Sequence, residues 1–583
     1  MSTAISLVVR GRTGLLGWLH RRPILRSDLI LIVGAPLLWT ALYSVRFWQQ
    51  VSAAMWQHSL SSALFLASLF VLALFAQSLL LIWVPRRLLR PVVCVLFLIA
   101  APVQYFIHEF GTLMDTDMMR NVFATDRAEA AGLFSGKLLL EWFVLGVLPC
   151  LPVIGARWQD ASRKRRWKER GVFFGSAFVL SMIGVLCSSA SYASFFREYK
   201  PLRYLLNPAA PVYSAIHFAM EESHGAQSHT LQTIGEPLHR VVYTSATKPK
   251  VLFLVIGETA RRANFQLQGY SRPTNPELAQ VQGLVYFNNV TSCGTATAIS
   301  LPCIFSHLGR HDFDVSDATR TTNLLDMLTA TGVQVEWRDA NSGCKGVCKR
   351  VPMIQYSGNN AADALCHGPY CFDEVMLRDL QSRLQTIDRD TVIVFHQAGS
   401  HGPAYFERYP PRFDVFRPAC DSNQLNTCTS QEVTNAYDNS IRYTDHNLAR
   451  QIALLQQAAD RLDGALLYVS DHGESLGERG VYLHGMPYAF APDAQKQVPL
   501  VLWLSDGFAH ADAIDGACVQ TKAHDPMSHD NVFHTVLGVM GVRTPLYDPQ
   551  LDILSRCRAR AAREIWASHA PRPTAAQATA AKS

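Results

Sequence analysis

Five apolar runs crowd into the first third of this 583-residue chain, at 29–47, 63–84, 91–107, 138–154 and 171–192. Each is close to the length of about 17–25 residues that crosses a bilayer as a helix. The competing reading is a set of buried helices in a water-soluble core. Five such runs with short polar breaks are hard to pack in water, so membrane spans are expected. Two are weaker: 91–107 is short, and 138–154 contains Glu141. The loops set the expected orientation, because Lys and Arg stay on the cytoplasmic side. Arg10, Arg12, Arg21, Arg22 and Arg26 precede the first run, and Arg86, Arg87 and Arg90 follow the second. Arg163, Lys164, Arg165, Arg166, Lys168 and Arg170 precede the fifth. By contrast, 49–62 has no Lys or Arg, and 108–137 holds five acidic residues. The N-terminus is therefore expected in the cytoplasm, and an odd number of spans delivers everything after Tyr192 to the outside. The N-terminal segment does not read as a cleavable signal, because its apolar run is too long and starts too late.

Composition agrees with a chain that is part membrane and part globular: 49% of residues are hydrophobic and mean hydropathy is +0.07. Residues 1–192 carry 19 Lys and Arg against 9 Asp and Glu, whereas the remainder carries 34 against 38. A mildly acidic large domain argues against a nucleic-acid partner. Ten of the 13 cysteines lie after residue 290, eight of them in local pairs: Cys293 with Cys303, Cys344 with Cys348, Cys366 with Cys371, and Cys420 with Cys428. Outside the cytoplasm such spacing reads as disulfides, with a structural zinc site as the alternative. Cys518 and Cys557 either form a fifth, longer bridge or stay free. The domains expected are a five-helix membrane domain at 1–192, an interfacial linker at 193–249 and a catalytic domain at 250–567. The linker expectation rests on Phe195, Phe196, Arg197, Tyr199, Lys200, Arg203 and Tyr204, a mixture of rings and cations suited to a membrane surface. The Ala/Pro/Thr-rich tail at 568–583 reads as disordered.

In the large domain, β-rich runs at 250–256, 284–289, 334–338, 391–396, 465–469 and 498–504 alternate with helical periodicity at 323–331, 373–387, 431–461 and 530–539. That alternation predicts a largely parallel α/β sheet covered by helices. Ligands collect at the carboxyl ends of such strands, and there the unusual polar strings fall. The first run ends in Ile256-Gly257-Glu258-Thr259. The run at 465–469 leads into Ser470-Asp471-His472-Gly473-Glu474. The run at 391–396 leads into Gly399-Ser400-His401-Gly402, and Tyr482-Leu483-His484-Gly485 follows. Each histidine alone is more often structural than ligating. Together at strand ends, Glu, Asp and His form an oxygen/nitrogen site suited to zinc, with manganese as second choice. A hydroxyl next to such a metal becomes a nucleophile, and Ser292-Cys293-Gly294-Thr295-Ala296-Thr297-Ala298 supplies several. The residues alone do not choose among Thr295, Thr297 and Ser300.

These strings resemble the phosphoethanolamine transferases that modify lipid A, the family that includes the colistin-resistance enzymes. The resemblance runs from about residue 28 to about 560. It rests on IGETAR at 256–261, SCGTATA at 292–298, WRDANSGCKG at 337–346, GSHGPAY at 399–405, SDHGESLGE at 470–478 and YLHGMPYAFAP at 482–492. It implies an alkaline-phosphatase/sulfatase-like catalytic domain and a zinc ion on Glu258, Thr297, Asp471 and His472, with a second metal in question. Thr297 is then the nucleophile. His401 and His484 match positions that bind a second metal or the donor's phosphate, and Asn341, Ser342 and Lys345 match a headgroup-binding segment. Cys344 and Cys348 flank Lys345 here, which puts its orientation in question. In the third loop, Asn121, Thr125 and Glu129 recur at i, i+4 and i+8, one face of a helix. The plain reading is a solvated face, whereas the resemblance links them to the lipid headgroup. The expected partners are phosphatidylethanolamine as donor, lipid A as acceptor and the surrounding membrane lipids, with the chain working as a monomer.

The alternative enzyme is a phosphoethanolamine or glycerophosphate transferase acting on another envelope glycan. A plain sulfatase lacks support, because the Cys/Ser-x-Pro-x-Arg motif is absent at the nucleophile. An inactive sensor or scaffold would require missing ligand positions, and each expected position is filled.

Overall fold

The computed structural model describes residues 24–25, 27–125, 127–159, 161–226, 231–241, 247–356, 364–367 and 370–559. The tail expected at 568–583 lies outside them. Two compact units emerge. One comprises the chain up to Asp115 together with Phe134–Ile216. The other comprises Thr116–Leu133 and the chain from His217 onward. The helical unit thus reaches beyond the boundary expected at residue 192. The third loop, numbered among the membrane residues in sequence, belongs to the second unit.

The helical unit holds α1 (Leu29–Leu42), α2 (Val45–Met55), α3 (Leu60–Ile82) and α4 (Arg86–Phe110). The third loop contributes α5 (Thr116–Ala124) and α6 (Arg127–Leu133) to the other unit. Then come α7 (Gly136–Gly155), α8 (Arg163–Cys187) and α9 (Ala209–Ala226), the last running from one unit into the other. Four of these helices (α3, α4, α7 and α8) are long and apolar enough to cross a membrane. The run at 29–47, expected as one span, is instead a pair of helices, α1 and α2, bent by 61°. At the bend the Ser44 hydroxyl donates to the Trp39 carbonyl and Trp48 Nε1 donates to the Thr40 carbonyl. The Trp39 carbonyl also accepts from the Tyr43 N–H, so the Ser44 hydroxyl adds a second bond there, while Trp48 supplies a side-chain donor to Thr40. The short run at 91–107 becomes a 25-residue helix that continues through Pro91 and Pro102. Pro102 cannot donate to Leu98, and Trp142 Nε1 takes that carbonyl at 3.2 Å. The expected linker takes in the end of the helix Ser189–Glu198, the segment Lys200–Leu205 and α9.

The second unit is built on an eight-stranded sheet. Its strands are β1 (Lys250–Gly257), β2 (Val285–Thr291), β3 (Gln334–Asp339), β4 (Met353–Gln355), β5 (Thr391–His396), β6 (Asp463–Ser470), β7 (Gln497–Leu504) and β8 (Met527–Ser528). The order is β8-β2-β7-β6-β1-β5-β3-β4. From β6 to β4 every pairing is parallel, whereas β7 runs antiparallel to both of its neighbours. Both faces of the sheet are covered, so β1 and β6 are buried along their whole length. Period-2 alternation divides the core: Leu252, Leu254 and Ile256 face one cluster, Val251, Phe253 and Val255 the other. Helices α10 (Thr297–Ile304), α11 (Leu324–Ala330), α12 (Ser430–Gln457) and α13 (Asp530–Val539) belong to this unit. Thr429 and Glu432 form a capping box at the start of α12. The helix expected over 373–387 is broken into Asp373–Leu377 and Leu380–Gln385, with Asp379 in the left-handed region between them. The Asp373 carboxylate is used elsewhere: it accepts from the Ala398 and Gly399 N–H groups.

All four local cysteine pairs are disulfides: Cys293 to Cys303, Cys344 to Cys348, Cys366 to Cys371, and Cys420 to Cys428. The last of these spans the segment just before α12. Cys420 is buried there, whereas Cys428 is only half-buried and directly precedes the Thr429 cap. Cys518 and Cys557 form a fifth bridge. A structural zinc site on these cysteines is thereby excluded, since each sulfur is already bonded to another. Loop length then ranks the bridges, because each stabilises in proportion to the chain entropy it removes. Cys518–Cys557 closes a separation of 39 residues and Cys366–Cys371 one of 5. Replacing the longer pair by serine is expected to cost about 4 kcal/mol against about 2 kcal/mol for the shorter pair. Thermal midpoints of the two purified variants check this ranking.

Candidate active site

The site forms where β1 and β6, adjacent and parallel, both end. Ser470 pairs with Gly257 in register, so Glu258 and Asp471 emerge side by side. Thr259 sits at φ 51°, a left-handed conformation that costs a non-glycine residue about 1–2 kcal/mol. This turn aims the Thr259 N–H at Asp471 Oδ1, 3.2 Å away. Its carbonyl is fixed by the Tyr437 hydroxyl at 2.7 Å. From the β5 side, Gly399 presses against the Glu258 backbone: a Cβ there would lie 2.6 Å from the Glu258 carbonyl oxygen. Only glycine fits that approach, and its φ of +52° suits glycine too.

Thr297 begins α10 and faces the same point. Its Oγ1 lies 3.1 Å from Glu258 Oε2 and 3.2 Å from His472 Nε2. The two other candidate hydroxyls turn away. Thr295 donates to the Met486 carbonyl at 2.5 Å, and Ser300 accepts from the Gly294 N–H. The segment that carries Thr297 is anchored twice, by the Cys293–Cys303 bridge and by His529. His529 Nδ1 accepts from the Cys293 N–H at 3.0 Å, while its Nε2 donates to the Ser470 carbonyl at 2.9 Å. Burial pushes its imidazole down to about 4, which keeps it neutral and preserves both bonds.

Glu258, Asp471 and His472 bring three ligand atoms within 4.8 Å of one another, all deeply buried. The His472 Nδ1–H donates to the Gly473 carbonyl at 3.0 Å, which leaves the Nε2 lone pair facing both carboxylates at 3.4 Å. Asp471 Oδ2 is buried and makes no hydrogen bond. Two buried carboxylates converging on one imidazole lone pair are relieved by a cation held between them. The residues therefore fit a metal ion. Burial pushes the Asp471 carboxyl up to about 6 and the His472 imidazole down to about 4. Glu258, His401 and His484 form a second such group.

Around these lie residues that hold them. Asn341 Nδ2 donates to Glu258 Oε2 at 2.7 Å and to the Gln397 carbonyl at 3.0 Å. Asp339 accepts from the Asn341 N–H, from Trp337 Nε1 and from His396 Nδ1, making a buried brace behind Glu258. Glu474 accepts from the Tyr405 hydroxyl at 2.6 Å and from His484 Nδ1 at 2.8 Å, which fixes the His484 ring beside His472. Burial pushes Glu474 up to about 7. The His484 ring is 4.2 Å from that of His472 and 5.5 Å from that of His401. Lys345 takes a left-handed backbone, and its Nζ donates to Ser342 Oγ at 2.9 Å and to the Ala124 carbonyl at 3.2 Å. Sequence reasoning missed Glu474, Asp339, Asp373, His396 and His529. Glu474 stood inside a quoted string as a surplus acid, but no local signal marked His529.

The third loop departs from expectation. Helix α5 ends at Ala124 and α6 restarts at Arg127, so Asn121, Thr125 and Glu129 do not share one continuous helical face. The Thr125 hydroxyl donates back to the Asn121 carbonyl at 2.9 Å, closing the helix end. Asn121 and Met118 stand over Gly485: a Cβ there would lie 3.6 Å from Asn121 Nδ2 and 2.9 Å from Met118 Cε. The side chain of Glu129 lies outside the described residues.

Comparison with known proteins follows the same division. The profile of the family described as Sulfatase matches residues 250–542, and that described as Phosphoethanolamine transferase EptA/EptB matches 69–222. Phosphoethanolamine transferase EptA of Escherichia coli (strain K12) is 38% identical over 526 residues, covering 88% of this chain and 94% of its own. Phosphatidylethanolamine transferase Mcr-1 of Escherichia coli is 38% identical over 495 residues, covering 83% and 90%. The solved integral membrane lipooligosaccharide phosphoethanolamine transferase A (EptA) from Neisseria meningitidis superposes with a TM-score of 0.88 at 33% identity, covering 92% of this chain and 99% of that one. With 38% identity to one such transferase over 88% of its length, and a solved one superposing over 92% of it, the chain belongs to the phosphoethanolamine transferase family.

Proposed function

We propose that this enzyme moves phosphoethanolamine from phosphatidylethanolamine to a lipid A phosphate through a covalent phosphothreonine on Thr297. The observation that carries this reading is the Thr297 hydroxyl, buried at 3.1 Å from a Glu258 carboxylate oxygen and 3.2 Å from His472 Nε2. In the first half, Thr297 Oγ1 attacks the donor phosphorus, the bond to the diacylglycerol oxygen breaks, and diacylglycerol leaves with a proton. In the second half, an acceptor phosphate oxygen attacks the phosphothreonine and Thr297 is restored. His484 is set up to carry the proton at Nε2, since Glu474 holds its Nδ1–H, and His401 stands beside it. Asn341 touches Glu258 directly, and Lys345, held to Ser342 and Ala124 in this structure, would have to exchange those partners to reach phosphate or headgroup oxygens. Asn121, Thr125 and Glu129 would complete the headgroup site from the third loop.

Zinc is the metal that fits Glu258, Asp471, His472 and the threonine oxygen best, and it would supply the charge that activates the hydroxyl and neutralises the phosphoryl oxygens. One ion is proposed there, and Glu258, His401 and His484 are the place for a second. The bent pair α1 and α2 counts as one span, giving five, with the basic ends cytoplasmic and the catalytic unit periplasmic. The product's ethanolamine ammonium cancels lipid A negative charge, which weakens attraction for polymyxin and other cationic peptides.

Lipid A from cells expressing the wild type should gain the mass of phosphoethanolamine, and lipid A from cells expressing Thr297→Ala should not. With acceptor withheld, peptide mapping should find the adduct on Thr297, and an adduct on Thr295 would refute the assignment. Chelation of the purified enzyme should abolish transfer, with zinc restoring it best. Full activity without bound metal would overturn the scheme. Asn341→Ala should lower metal affinity or rate by about 10–100-fold, read by zinc titration and transfer rate together, because it removes the donor that aims Glu258.

A further inference from the structure

Away from the active site, charge gathers at one end of the helical unit, where α3 ends and α4 and α8 begin. Asp28, 2% exposed, is the carboxylate at its centre. Arg170 donates to Asp28 Oδ2 at 2.8 Å and to the carbonyls of Ile82 and Val84, so it closes the end of α3. Arg166 lies 4.0 Å from the same oxygen, and Arg86 Nε lies 3.4 Å from Oδ1. The neighbouring Glu169 is engaged by Arg165 and by the Ser27 hydroxyl. Asp28 is thus shared by three guanidinium groups.

A fourth, Arg90, has no carboxylate among the described residues. Its Nε and Nη2 are buried and make no hydrogen bond. Its guanidinium lies 4.9 Å from the Trp158 ring centroid, and that of Arg86 lies 4.5 Å from the same ring. Two like charges against one indole, one of them without an anion, form an incomplete electrostatic arrangement. Trp83 and Trp167, 66% and 44% exposed, flank this end with rings 6.5 Å apart. Exposed tryptophans of this kind sit at the headgroup level of a bilayer. Guanidinium forks match phosphate oxygens in pairs, and basic pockets between membrane helices take lipid headgroups.

We propose that Arg86 and Arg90, stacked on Trp158, bind the phosphodiester of an anionic phospholipid in the leaflet at this end of the helices. On the orientation given above this is the cytoplasmic leaflet. The site is separate from the transfer chemistry and does not depend on it.

Native mass spectrometry of the full-length protein, with phosphatidylglycerol, phosphatidylcholine or inorganic phosphate added, tests this. Phosphatidylglycerol should remain bound one to one where the other two do not. Arg90→Gln and Arg86→Gln should each weaken it about fivefold. Arg87→Gln, on the exposed side of the same helix turn, should weaken it less than about twofold. All three variants should keep wild-type hydrolysis of a small soluble phosphoester, which controls for folding. Should Arg90→Gln fail that control, Arg90→Lys replaces it, keeping the charge but losing the fork, with an intermediate loss of binding expected. Equal losses in Arg87→Gln and Arg90→Gln would overturn the proposal by reducing the effect to diffuse surface charge. Retention of inorganic phosphate as strong as that of the lipid would overturn it in favour of a free-anion site. No loss in Arg90→Gln would overturn it outright.

Discussion

Everything in the catalytic unit serves one unfavourable juxtaposition, the burial of two carboxylates and an imidazole lone pair against one another. Glu258, Asp471 and His472 would repel if left alone, and Asp471 Oδ2 has no donor at all. The parallel pairing of β1 with β6 forces the encounter, because registered strands must end together. The cost is carried by a core that covers both faces of the sheet. A divalent cation converts the same arrangement from a liability into a binding site.

The surrounding residues limit how far that encounter can relax. Thr259 holds a left-handed turn so that its N–H meets Asp471, and Gly399 lies too close to Glu258 for any side chain. Asp373 gives up a continuous helix to hold the Ala398 and Gly399 N–H groups. His529 ties the segment that carries Thr297 to the end of β6 through two hydrogen bonds. Each brace comes from a different part of the chain, so the site is rigid although most of its members lie in loops.

The strands and the strand-end acids were legible in the sequence because apolar runs and mixed acid-histidine strings are local signals. The run at 391–396 matches β5 residue for residue. The short-range cysteine pairs were legible for the same reason: Cys420 and Cys428 are 8 residues apart, whereas the partnership of Cys518 with Cys557 spans 39 and stayed open. Local sequence left Thr295, Thr297 and Ser300 open as hydroxyls, and only the family resemblance singled out Thr297. What separates them is where each hydroxyl points, a tertiary fact. The antiparallel β7 was hidden because periodicity carries no strand direction. The breaks near Tyr43 and Ala124 were hidden because no proline or glycine marks either one in the sequence. His529 and Asp373 act across long sequence separations, which no window of residues reveals.

Helix α5 covers Gly485 and offers a carbonyl to Lys345, yet it lies between two membrane helices in the chain, far ahead of every ligand. A catalytic unit excised after the last membrane helix would keep Glu258, Thr297, Asp471 and His472 but lose this roof. Lys345 would lose its Ala124 partner, and Gly485 would lose Met118 and Asn121. Such a fragment would keep the buried strand-end cluster while losing the helix that packs on Gly485 and Lys345. The compact unit that holds Glu258, Thr297, Asp471 and His472 is thus completed by a stretch of chain that precedes those residues by more than a hundred residues.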